Sequence, residues 1–178
     1  MRWLAVGLLC ASSALASDFS AEELRGLTEN RAFLKGCVTV VVFLSARCPV
    51  SNAYGDRLQQ AYNNYRGQGV RFLFVDSNVN EEEAEIRKNA GEHGYTFPIF
   101  RDIGSRAADR FGAQATPELF VLDTNAQIQY HGGVDDAQNP ARVHHHSLRE
   151  ALDQVLAGLP VTIAETKSFG CTIKRPRR

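Results

Sequence analysis

Val38-Thr39-Val40-Val41-Val42-Phe43-Leu44 runs directly into Ser45-Ala46-Arg47-Cys48-Pro49-Val50-Ser51, and the join between the two halves decides the fold. The first half is an unbroken β-branched and apolar run. Such a run suits a strand covered on both faces, hence a central and parallel one. The second half opens a helix, with Pro49 in the first turn, where its missing N–H does no harm. The helical stretch reaches Tyr65, and Gly67 and Gly69 end it. Cys48 therefore stands where a strand stops and a helix begins. Free N–H groups and the helix dipole stabilise negative charge at that place. A thiol there has its pKa lowered, and the thiolate is the reactive species. The plain alternative is a buried structural cysteine, but strand-to-helix switches are active-site locations in α/β sheets.

Working outward, the same two patterns alternate. Val70 to Val75 reads as a second strand, and Asn80 as the cap of a helix carrying Glu81, Glu82, Glu83 and Glu85 near its start. Phe97 to Phe100 is strand-like and Ser105 to Phe111 helical. Leu119 to Leu122 and Gln127 to His131 form strands around an Asp123-Thr124-Asn125 turn. Leu148, Leu152, Val155 and Leu156 place a helix over 147–156, stopped by Gly158. Upstream, Ser20-Ala21-Glu22-Glu23 is a capping box for a short helix ending near Phe33. Strands alternating with helices predict a mostly parallel α/β sheet with a late antiparallel edge. From Pro160 onward no strong period is visible, and the basic end Lys174 to Arg178 reads as solvated.

The 178 residues make about one domain, 44% hydrophobic and 22% charged, which affords a core without staples. Twenty basic residues balance twenty acidic ones, so no field gathers nucleic acid or an anionic membrane. Residues 1–16 read as a signal peptide: Arg2, an apolar stretch from Leu4 to Leu15, and a small-x-small site at Ala14-Leu15-Ala16. The stretch is too short to span a bilayer, which needs ~20 residues. Cys10 is expected to leave with it. Cys37, Cys48 and Cys171 then remain in an oxidising compartment, and an odd number leaves at least one thiol free or reactive.

Phe43 to Ser51 resembles the active-site segment of thioredoxin-like redox proteins, notably the AhpC/TSA (redoxin) family and the related exported thiol-disulfide oxidoreductases. Ala115-Thr116-Pro117-Glu118-Leu119-Phe120-Val121-Leu122-Asp123 is similar to the cis-proline segment of that fold. The resemblance covers roughly Leu24 to Leu156. It implies an α/β, thioredoxin-like fold with a central mixed (mostly parallel) sheet flanked by helices. It also implies Cys48 as the catalytic nucleophile and Thr116-Pro117 as the wall against which substrate docks. Departures are specific. Ser51 replaces the second cysteine of Cys-x-x-Cys, and Val42 replaces the buried acid of thioredoxins. Ser45 stands for the threonine of the peroxiredoxin Thr-x-x-Cys-Pro, where a hydroxyl donates to a peroxide, while Val41 replaces a proline of those enzymes. Ser45 and Ser51 are thus the expected hydroxyl neighbours of Cys48.

Cys171, behind Gly170 in the tail, looks similar to the resolving cysteine that some two-cysteine peroxiredoxins keep near the C-terminus. A structural disulfide to Cys37 and a free thiol are the alternatives. Cys37 and Cys48 should not pair, because an extended run of eleven residues holds them well beyond the ~7 Å limit. His144-His145-His146 reads as polar loop rather than metal site, since consecutive residues do not easily face one ion. The expected domains are a signal peptide (1–16), a redoxin domain (17–158) and a tail (159–178) carrying Cys171. The expected function is that of an exported thiol-based redox protein without a cofactor. A peroxiredoxin proper, or a non-enzymatic thiol- or copper-binding module, is the alternative. Expected partners are a thiol or disulfide protein substrate or a peroxide, an external thiol reductant, and a second copy in a homodimer. Nucleic acid and, after signal cleavage, a membrane span are not expected.

Overall fold

A computed structural model describes residues 34–177 of the chain. The leader over 1–16, Cys10 and the capping box at Ser20 lie outside the described residues. Five strands form the main sheet in the order β3-β2-β1-β5-β6: β1 (Thr39–Leu44), β2 (Arg71–Asp76), β3 (Ile99–Arg101), β5 (Glu118–Leu122) and β6 (Ile128–Gly132). A second sheet pairs β4 (Ala115–Thr116) with β7 (Cys171–Thr172). The helices are α1 (Pro49–Ala53), α2 (Gly55–Tyr65), α3 (Glu83–Glu92), α4 (Arg106–Phe111) and α5 (Ser147–Leu156). None of the described helices is long and apolar enough to cross a membrane.

The expected central strand is β1, buried along its whole length. Its alternate residues face opposite layers, as a pleated strand requires. Val40, Val42 and Leu44 pack with Tyr54 and Leu58 of the α1–α2 segment and with Leu148 and Leu152 of α5. Val41 and Phe43 pack with Ala107, Ala108 and Phe111 of α4, and with Ile173 of the tail. Phe43 is the hinge of that second layer, edge-on to Phe120 at 5.9 Å and tilted against Phe111. A continuous apolar run is thus the signature of a strand roofed on both sides.

Three expectations need correction. The sheet is mixed but not mostly parallel: β1–β2 and β2–β3 run parallel, β1–β5 and β5–β6 antiparallel. The chain enters β5 at the Pro117 end, beside the end of β1, and so must run back along it. The acidic helix starts later than Asn80 suggested. Glu82 is the residue at its N-cap, and Glu81 is buried outside the helix. The basic end is only partly solvated: Lys174, Pro176 and Arg177 are exposed, but the segment is tied down at Ile173 and Arg175. Ile173 is 3% exposed, and Arg175 bonds Asp109 and the Ala113 carbonyl.

Phe43→Ala is expected to destabilise the fold by about 3–5 kcal/mol, the range for emptying a fully buried aromatic site. Urea unfolding of the two proteins checks this, and a loss below about 1 kcal/mol would contradict the packing described.

Candidate active site

Cys48 is the N-cap residue of α1, with extended backbone dihedrals, and its sulfur accepts the Ser51 N–H at 3.3 Å. The residue is 1% exposed. Its thiol reaches across to the Thr116 carbonyl at 3.2 Å. The Thr116–Pro117 peptide is cis. The strand end and the proline loop therefore meet at sulfur, as expected.

Both loops are held from behind by buried glutamates. Glu81 takes the Ser45 hydroxyl at 2.5 Å, the Ala46 N–H at 2.6 Å and the Arg47 N–H at 3.3 Å. The Ser51 hydroxyl accepts the Ser45 N–H at 3.2 Å. Glu118 takes the Gln114 and Ala115 N–H groups at 2.7 and 2.8 Å, and its other oxygen bonds His131. Sequence reasoning missed both glutamates. Glu81 was hidden in an acidic run, and Glu118 inside the motif it supports.

The tail closes the site. β7 pairs antiparallel with β4, setting Thr116 opposite Cys171 and Ala115 opposite Thr172. Beyond it the Ile173 N–H donates to the Gln114 carbonyl, and the Lys174 N–H to the Asn78 side chain. Gly170 crosses the proline loop so closely that a Cβ there would sit 1.8 Å from the Thr116 carbonyl oxygen. The backbone edge expected to receive substrate is thus occupied by the chain's own tail. Cys48 and Cys171 are both free thiols. This overturns the Cys37–Cys171 pairing: Ile173 and β7 hold Cys171 at the Cys48 end of β1, whereas Cys37 precedes the other end.

The two thiols are not equivalent. Burial pushes the Cys48 thiol up, but hydrogen bonds from the Cys171 thiol, the Ser51 N–H and Thr116 outweigh it and bring it below the ordinary value. Cys171 is pushed well up, first by its hydrogen bond to Cys48 and then by burial. Of the two, Cys48 is the thiol whose ionised form its surroundings favour. A third shifted group lies behind them. Burial, together with a hydrogen bond that the protonated Asp76 carboxyl donates to Glu81, raises Asp76 to about 7.

The other polar groups near the site or in the histidine run stay apart from the sulfur. Arg47 turns outward to Glu85, at 2.5 and 2.7 Å. His146 bonds Asp135, and the His144 N–H bonds Asp136. Among the described residues no cluster of side chains is arranged to hold a metal ion.

Residues 13–131 match the AhpC/TSA family. The thiol-disulfide oxidoreductase ResA of Halalkalibacterium halodurans is 26% identical over 120 residues, 67% of each chain. A hypothetical protein from Sinorhizobium meliloti superposes with a TM-score of 0.74 at 30% identity, over 87% of this chain and 85% of that one. A thioredoxin-like protein in its oxidised form shares the fold at a TM-score of 0.59 and 22% identity, over 73% of this chain and 85% of the other.

Removing the Cys171 donor should raise the Cys48 pKa. The pH dependence of iodoacetamide alkylation at Cys48, read by peptide mapping, is expected to shift upward in Cys171→Ala. An unchanged midpoint would mean that the two sulfurs do not communicate.

Proposed function

The chain belongs to the AhpC/TSA family, and from that premise we propose that it is a thiol-disulfide oxidoreductase working through a Cys48–Cys171 couple. The second sulfur that Cys-x-x-Cys proteins carry one helical turn on is here replaced by Ser51. The observation that carries the reading is the pairing of Thr116 with Cys171, which brings a tail thiol within hydrogen-bonding reach of Cys48.

The order of events follows from the unequal thiols. The Cys48 thiolate attacks a substrate disulfide. A Cys48–substrate bond forms, the substrate S–S bond breaks, and the departing thiolate takes a proton from water. Sulfur 48 is then no longer a charged acceptor, so the hydrogen bond and repulsion that held the Cys171 proton disappear. Cys171 loses that proton to solvent and attacks the Cys48 sulfur. The second substrate thiolate leaves, and a Cys48–Cys171 disulfide remains. Two electrons have passed to the substrate. An external thiol reductant runs the same steps backward. Ile173 keeps the tail anchored while Gly170 and Cys171 yield to the incoming disulfide.

The peroxidase alternative has less support. It needs a hydroxyl hydrogen aimed at the peroxide, and the Ser45 hydrogen goes to Glu81. Residues 1–16 read as an export leader, which would place the couple in an oxidising compartment.

Peptide mapping after one equivalent of a small disulfide oxidant and thiol blocking tests the couple. A Cys48–Cys171 linked peptide within one chain is expected. Recovery of alkylated Cys171 beside a persistent Cys48 adduct would sink it. Cys48→Ser should abolish turnover with the circular-dichroism spectrum unchanged, and retained turnover would move the chemistry to another cysteine. Gly170→Ala should slow closure of the disulfide, because the added methyl cannot share space with the Thr116 carbonyl. Stopped-flow quenching of the mixed disulfide measures that step, and a wild-type rate would contradict the close crossing.

A further inference from the structure

The turn that presents Cys48 hangs from a buried pair of carboxyl groups that the thiol chemistry does not consume. Glu81 is 2% exposed and Asp76 0%. Glu81 receives the Ser45 hydroxyl and the Ala46 and Arg47 N–H groups, three consecutive residues leading into Cys48. Asp76 ends β2, receives the Asn78 N–H at 2.9 Å, and also faces the Ala46 N–H at 3.3 Å. Both carboxyl groups face the same Ala46 N–H, Glu81 at 2.6 Å and Asp76 at 3.3 Å, which sets them side by side in a buried site. Like charges in contact in a dry site do not both ionise readily.

We propose that Asp76 and Glu81 act as a one-proton pair of positioning residues, which keeps the Cys48 turn in its reactive geometry while the shared proton is present. With the proton on Asp76, the pair carries one negative charge and Glu81 keeps its oxygens on the turn. Loss of the proton puts a second charge against the first. Separation of the carboxyl groups then pulls Ser45, Ala46 and Arg47 out of register with α1, and Cys48 moves with them.

The surroundings leave this proton to the pair. The guanidinium of Arg47 feels both carboxylates but is paired with Glu85 at the surface. On the tail side, Cys171 feels the charge of Glu81, and Lys174 lies beside it. Asp102 is turned away, bound by the Ser77 hydroxyl and the Ala107 and Ala108 N–H groups. Asn78, which bonds both Asp76 and the Lys174 N–H, links the pair to the tail.

The proposal rests on Cys48 being the reactive thiol, and its test separates the two ideas. Iodoacetamide alkylation of Cys48 is followed by peptide mapping from pH 5 to 9 in the full chain, in Asp76→Asn and in Glu81→Gln. The wild type is expected to show two inflections, one for the thiol and one near neutrality for the pair. Asp76→Asn mimics the protonated state, with an N–H toward Glu81 and one charge in all. It should keep the low-pH rate and lose the neutral inflection. Glu81→Gln turns an N–H toward donors and should slow alkylation about tenfold or more, as a displaced reacting group does. If circular dichroism finds Glu81→Gln unfolded, Asp76→Asn decides alone. A wild-type pH profile in Asp76→Asn, or a wild-type rate in folded Glu81→Gln, overturns the proposal. Wild-type Cys48 no more reactive than a free cysteine at any pH overturns the thiol reading itself, and this proposal with it.

Discussion

The Thr116 carbonyl oxygen is where three parts of the chain converge. It accepts the Cys48 thiol, it lies against Gly170, and its strand pairs with Cys171. These contacts need the β1–α1 join, the proline loop and the tail in register within a few tenths of an ångström. A short hydrogen bond weakens steeply as it lengthens or bends. The layers below serve that register. β1 is locked between α1, α2 and α5 on one face and α4 on the other, so the end of the strand that carries Cys48 has little room to drift.

Precision at the ends of strands comes from polar groups, and here from two buried glutamates. Glu81 satisfies the donors of the Cys48 turn, and Glu118 those of the proline loop. Buried carboxylates are costly unless their lone pairs are filled, and here backbone N–H groups fill one oxygen of each while the Ser45 hydroxyl and His131 take the other. Each acts as a substitute for secondary structure where the chain cannot continue a ladder. Removing either would leave several buried donors unpaired, a larger loss than one hydrogen bond.

What could be read from the residues, and what could not, follows from the range of each interaction. β1, α5 and the Cys48 join were legible because each is a local pattern: an apolar run, a helical repeat, a proline in a first turn. β5 lies antiparallel to β1, which no local pattern encodes, so the mixed character of the sheet was understated. Glu81 looked like one acid among several in a helix start. Its place was decided by donors 34 to 36 residues away. Residues 171–174 have too few apolar side chains to announce a strand. They pair because Ile173 joins the buried layer that includes Phe120 and Leu122, and the rest of the segment follows it.

Ile173 gives the tail a meaning beyond packing. In the proposed Cys48–Cys171 couple its burial would fix the effective concentration of one sulfur at the other, so the tail's docking equilibrium and the couple's oxidation equilibrium would be thermodynamically linked. Whatever tightens docking favours the disulfide by the same factor, and whatever loosens it favours the dithiol. Under that proposal, aliphatic substitutions two residues from the sulfur would tune the couple's reducing power with no change in the chemistry of either thiol.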